Sequence, residues 1–232
     1  MEIRILEKVS GAKEAEGLAV IIDVFRAFSL ECYLSEMGVE RIIPVGDIDK
    51  ALSLAASISG SISIGERGSR PLEGFDYGNS PWLIKDADLK GKTIIHTTSS
   101  GTQGLVNAAG ADRMITGALV NAKAIARYIK QKKPEIVSLV GMGNNSANRG
   151  SSEDRLCAEY IRALLLDELF DIKAKALALK EDRDGARFFV PENQHFVPEQ
   201  DFYMCIDNDR FDFVLEATPE GDGTIRINRV DV

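Results

Sequence analysis

The sequence predicts an α/β fold of three layers, a largely parallel or mixed sheet with helices on both faces. Apolar runs of strand length alternate with helix-period segments over the first two-thirds of the chain. Residues 18–24 form an apolar stretch ending in Asp23 and Val24, the pattern of a strand buried on both faces. The 232 residues, 44% hydrophobic and 28% charged, supply enough chain to bury a real core.

Taken in order, residues 27–37 carry helical spacing through Leu30, Leu34 and Met37, and Gly38 follows as a stop. Residues 41–45 read as the next strand. Asp47 is placed to cap a helix running through Ser59 and ending at Gly60. Further strands are expected at 61–64, 93–97, 114–116 and 136–140, with helices at 102–109, 121–131 and 152–169. Residues 65–88 break this rhythm. They are rich in Gly, Pro, Asp and Asn, and so long a segment after the third strand is expected to cover a site. After about Ala174 the pattern shifts toward short strands and charged turns, and residues 224–232 alternate in strand fashion. The chain reads as one domain over 1–232, with a weakly marked subdivision near residue 130.

Composition excludes several classes. The formal net charge is −8, and basic residues are scattered, which argues against a nucleic-acid partner. No apolar run reaches the ~18 residues of a membrane span, and the first residues lack a secretory leader. Cys32, Cys157 and Cys205 are odd in number and widely spaced, as expected of a reduced, cytoplasmic protein. A local positive pocket can still take an anionic small molecule. Oligomeric state is left open; a homodimer is compatible with a domain of this size.

In open α/β sheets ligands gather where strands hand over to helices. The first such loop delivers Asp23 and Arg26, the third Glu66 and Arg67, the fourth Thr98, Ser99, Ser100, Gly101 and Thr102. A later one delivers Gly141 through Ser146, and the helix after it opens with Glu153 and Asp154. The hydroxyl-rich turn suits an anion, because helix-start N–H groups carry partial positive charge; its plain alternative is an ordinary cap. Asp23 at a buried strand end needs a metal, a cation or backbone donors, and its plain alternatives are a pair with Arg26 or a helix cap. Glu66 with Arg67 and Glu153 with Asp154 have surface-pair and helix-dipole alternatives. Taken together, these loops describe an oxygen-ligand cation site beside an anion site, suited to Mg²⁺-assisted phosphoryl chemistry. Two histidines without a cysteine pair make no zinc centre, and no Walker lysine follows the glycine turn.

Certain strings resemble the 2-phosphosulfolactate phosphatase family: Asp23-Val24-Phe25-Arg26-Ala27, Gly65-Glu66-Arg67-Gly68, and Gly74-Phe75-Asp76-Tyr77-Gly78-Asn79-Ser80-Pro81. The turn through Thr98-Ser99-Ser100-Gly101-Thr102, then Asn121, then Ser152-Glu153-Asp154-Arg155-Leu156-Cys157-Ala158, complete the order. The likeness covers roughly residues 18–165, and the string ending Gly-Asn-Ser-Pro is its most specific part. Two departures stand out: Phe28-Ser29-Leu30 replaces a threonine-bearing run, and Ser99-Ser100-Gly101-Thr102 stands where Thr-Asn-Gly-Thr is common.

The resemblance implies an α/β/α fold and a Mg²⁺-dependent phosphoric monoester hydrolase, which removes phosphate from 2-phosphosulfolactate on a route toward coenzyme M. On that reading Asp23, Glu66, Glu153 and Asp154 hold the metal, with Asp23 and Glu153 ranked first. Arg26 and Arg67 neutralise phosphate and sulfonate charge, while Asn79, Ser80, the Thr98–Thr102 turn and Asn121 bind substrate. Attack by water is preferred, since no activated Cys, His or paired Asp is evident. The rival readings are a non-catalytic or regulatory binder of small phosphorylated or sulfonated acids, and a lyase or transferase on phosphoenolpyruvate-like acids.

Overall fold

A computed structural model describes residues 1–144, 147–221 and 223–232. The elements run β1 (Glu2–Glu7), α1 (Lys8–Lys13), β2 (Leu18–Ile22), α2 (Ala27–Glu36), β3 (Arg41–Pro44), α3 (Ile48–Ser57), β4 (Ile62–Arg67) and β5 (Arg70–Pro71). Then come α4 (Pro81–Ile84), β6 (Thr93–Thr97), α5 (Gly101–Asn107), β7 (Arg113–Gly117), α6 (Ala122–Lys132), β8 (Ile136–Gly141) and α7 (Ser152–Leu165). The chain closes with α8 (Ile172–Ala178), α9 (Arg183–Ala186), α10 (Glu199–Ile206), β9 (Phe213–Pro219) and β10 (Ile225–Asp231), with short 3₁₀ turns between.

Among the described residues, ten strands form a mixed sheet ordered β1-β8-β2-β7-β9-β10-β3-β6-β4-β5. Two parallel blocks, β1-β8-β2-β7 and β3-β6-β4, flank the antiparallel hairpin β9-β10, which pairs β7 on one side and β3 on the other. Strand β2 shows why there are three layers. Its five residues are all buried, and successive side chains of a strand point to opposite faces. Leu18, Val20 and Ile22 join a core with α6 and α7, whereas Ala19 and Ile21 join a second core with α1, α2 and α5. Helix α6 is amphipathic on the same logic: Ala122, Ile125, Tyr128 and Ile129 are buried, while Lys130 and Lys132 close its last turn.

Asp47 caps α3 as expected, its carboxylate accepting from Lys50 N–H. Three expectations need correction. Helix α7 stops at Leu165 rather than Leu169, because the chain leaves through Asp167 in a left-handed conformation. Residues 65–88, which break the sequence rhythm, are not irregular throughout. β4 continues to Arg67 and folds onto β5, and Asp76 accepts from Ser63 N–H and Oγ–H, making a strap tied to the sheet. Residues 172–206 hold short helices instead of short strands. Asp171 and Asp182 cap two of them, and none is long enough to show a helical period in sequence. Strand β1 lies outside the expected strands, whereas β9 falls in the region after Ala174 where short strands are expected. The described helices include none long and apolar enough to cross a membrane.

Candidate active site

The carboxyl ends of β2, β4, β6 and β8 hand over to loops that enclose a cavity of about 160 Å³. Asp23 follows β2. It is buried, its Oδ1 accepts from Ala27 N–H at the start of α2, and its Oδ2 lies where a side chain on residue 101 would sit. A Cβ on Gly101 would meet that oxygen at 2.9 Å, so the hydroxyl-rich turn can approach Asp23 only with glycine there. Glu66 ends β4, with Oε2 accepting from Ser69 N–H and Oε1 from Ser99 N–H, each at 2.7 Å. Two backbone donors thus fix an oriented carboxylate between strap and turn. Glu153, in the first turn of α7, is buried with Oε2 unpartnered.

These acids sit where their charge is disfavoured. Burial, then the Asp154 charge, pushes Asp23 up to about 8. Burial, then Asp184, pushes Glu153 up to about 7. Asp154 is pushed to about 8 by burial and by Glu153, although two N–H donors pull the other way. Those donors decide its place: Oδ1 accepts from Val24 N–H at 2.8 Å and Oδ2 from Gly143 N–H at 2.7 Å. Asp154 therefore stands behind the cavity wall and clamps the β2 and β8 loops together.

The two arginines singled out in sequence differ. Arg26 lines the cavity, but its Nη1 donates to Asp201 Oδ2 at 2.6 Å and to the Phe196 carbonyl. Asp201 also accepts from Ser80 Oγ–H and Trp82 N–H, so Ser80 anchors α4 and stands outside the cavity lining. Arg67 turns away from the cavity. Its guanidinium donates to the Glu66 and Gly46 carbonyls and to Thr97 Oγ1. Asn79, Ser99 and Ser100 line the cavity; Thr98 and Thr102 bond to each other behind it. Asn121 lies elsewhere, capping a 3₁₀ turn by accepting from Ala118 N–H. Of the Gly141–Ser146 loop, Gly143 and Asn144 line the cavity, while Asn145 and Ser146 lie outside the described residues.

The α9 segment adds groups that sequence reading missed. Arg187 reaches the cavity with Nη1 donating to Ser69 Oγ and Nη2 to the Phe25 carbonyl, and its buried Nε has no partner. Burial, and then the neighbouring Arg26 cation, lower its affinity for its proton, so an anion beside it is favoured. Asp184 lies three residues earlier, on the same cavity, paired with Arg149. A charged pair at helical spacing is the available signal, in a stretch whose pattern reads as short strands and charged turns.

The family model for 2-phosphosulpholactate phosphatase matches residues 3–219. The chain belongs to the 2-phosphosulfolactate phosphatase family. The phosphatase is 32% identical over 213 residues to a probable 2-phosphosulfolactate phosphatase of Clostridium perfringens, covering 86% of this chain and 85% of that one. A protein of the same description from Carboxydothermus hydrogenoformans is 40% identical over 169 residues, covering 72% and 69%. One from Caldicellulosiruptor saccharolyticus is 35% identical over 217 residues, covering 87% and 89%. Membership makes the protein a phosphoric monoester hydrolase. The match runs past residue 165, where motifs stopped being legible, and takes in the α9 segment with Asp184 and Arg187.

Proposed function

We propose that this phosphatase hydrolyses 2-phosphosulfolactate, or a closely similar phosphorylated 2-hydroxy acid, with the help of Mg²⁺. The observation carrying the proposal is one small cavity lined by Asp23, Glu66 and Glu153 together with Arg26 and Arg187. A substrate bearing phosphate, sulfonate and carboxylate needs cations against its oxygens, and a guanidinium fork suits phosphate and sulfonate alike.

The fit to Mg²⁺ has two sides. Among the described residues, no group of three or more His, Cys, Asp or Glu side chains is spaced to hold a metal. Mg²⁺ however takes one or two protein carboxylates, its remaining positions going to water and substrate phosphate. Crowded buried carboxylates and the orphaned Glu153 Oε2 suit such a site. Asp23 and Glu153 are the residues that would hold it. Glu66 and Asp184 already accept on both carboxylate oxygens, whereas Asp23 accepts on Oδ1, which suits Glu66 and Asp184 to contacts through water. When bound, Mg²⁺ supplies positive charge to the phosphoryl oxygens.

The chain's own residues do the rest. Arg187 binds the transferring phosphate, and the Asp201-anchored Arg26 adds fixed positive charge behind it. The donors are set before substrate arrives, so the charge spread over the phosphoryl oxygens in the transition state costs little rearrangement. All three cysteines are free and buried, with thiols pushed above their ordinary range by burial, which leaves no thiolate to attack. Water is the attacking group on this reading.

Phosphate release from 2-phosphosulfolactate, measured with Mg²⁺ and with excess chelator, tests the proposal. Release that stops on chelation supports it. Binding without release would leave a small-acid binder, and a product other than sulfolactate with free phosphate would leave a lyase or transferase.

A further inference from the structure

Two buried ionisable side chains stand directly behind the cavity and take no part in the mechanism above. His96 on β6 and Glu31 on α2 are both 0% exposed. His96 Nδ1 lies 2.9 Å from Glu31 Oε1, and His96 Nε2 lies 3.2 Å from Oδ1 of Asn79, a residue of the cavity lining. The three make a chain from α2, through the sheet, to the cavity wall. Leu30, Leu34, Ile84 and Ile94 belong to the core around it, and Glu31 Oε2 has no partner. Burying such groups is costly, and apolar residues of similar size would pack there at less cost. A role in packing alone does not account for them.

The direction of the chain follows from its end. Asn79 Oδ1 can accept only if His96 Nε2 carries a hydrogen, and the amide nitrogen then faces away from the imidazole. We propose that Glu31 and His96 are positioning residues that turn the Asn79 amide so that its two Nδ2–H donors face the anion cavity. Two proton arrangements give this result: a Glu31 acid O–H donating to Nδ1, or a Glu31 carboxylate accepting from a doubly protonated ring. Burial holds the Glu31 carboxyl above its ordinary range, favouring the first. Every donor then points the same way, and each bond polarises the next. The inference deepens the phosphatase reading and rests on it for the anion.

The chain has two histidines, so ¹⁵N imidazole spectra resolve the question, with His195→Gln assigning the second ring. The expected result is a protonated His96 Nε2 in the wild type and in Glu31→Gln, whose amide can still donate to Nδ1, and its loss in Glu31→Leu. Inorganic phosphate is the binding probe. Its affinity should fall on the order of tenfold in Asn79→Ala and in His96→Leu, with no further loss in the double variant. Glu31→Gln should recover the affinity that Glu31→Leu loses. A bare Nε2 lone pair in the wild type, or additive losses in the double variant, would overturn the proposal. The wild-type spectrum decides even where His96→Leu does not fold. Both readouts need no turnover, so a failure of ester hydrolysis would count against the phosphatase reading instead.

Discussion

Arg67 and Arg187 show what side-chain direction does to a motif. Arg67 sits in the recognisable Gly-Glu-Arg-Gly string, yet its guanidinium is occupied by two carbonyls and a threonine hydroxyl. Arg187 sits in a stretch without a motif and faces the cavity with a buried Nε unpartnered. We expect Arg187→Ala to raise KM for the phosphate ester on the order of tenfold or more, the scale of a lost charge-assisted pair. Arg67→Lys should instead leave KM nearly unchanged and lower stability by about 1 kcal/mol, because only internal hydrogen bonds are lost. Steady-state kinetics with thermal unfolding separates the two. The buried carboxylates give a pH dependence whose sign is fixed. Asp23 and Glu153, raised to about 8 and 7, keep protons in the metal-free folded state that the unfolded chain releases near 4. Between those limits the native state binds more protons, so metal-free stability falls as pH rises from about 4 to 8. Mg²⁺ should therefore stabilise more at pH 8 than at pH 6 and release protons on binding, which thermal shift and calorimetry in two buffers would show.

Among the elements, those with continuous apolar runs or clear amphipathic spacing were legible in sequence, and the helices between residues 172 and 206 were not. β2, β8, α6 and the start of α7 fall within a residue or two of their expected places, because apolar runs and amphipathic spacing reflect burial directly. Helices α8, α9 and α10 span seven, four and eight residues, too few turns to print a period. The same limit applies to the site. Asp23, Glu66 and Glu153 were legible because each ends a strand or opens a helix, whereas Arg187 lies in a 3₁₀ turn whose packing depends on distant chain. Asp154 was legible as an acid but not as a clamp, since its partners, Val24 N–H and Gly143 N–H, are remote in sequence. The β9-β10 hairpin carries a consequence of its own. Its strands stand between the two parallel blocks, so a chain ending at residue 211 should lose the whole cooperative transition, not merely a terminal fray. Circular dichroism through a thermal ramp would show this; a truncated chain that still melts sharply would contradict the topology.

Across the whole molecule, the cavity draws on both parallel blocks. Asp23 comes from the loop after β2 and Glu153 from the start of α7, which follows β8, on one side of the hairpin; Glu66 comes from β4 and Ser99 from the turn after β6 on the other. The β6–α5 connection bridges them, since α5 leaves the second block and packs beside β2 and α1 of the first, bringing its turn against Asp23. The α9 segment closes the remaining side with Asp184 and Arg187. Crystals soaked with Mn²⁺, a strong anomalous scatterer standing in for Mg²⁺, and with sulfolactate and inorganic phosphate give the sharpest test of this convergence. One metal peak is expected within ligand distance of Asp23 or Glu153, with the phosphate oxygens on Arg187. A peak outside the cavity, or a phosphate that leaves Arg187 untouched, would contradict this convergence.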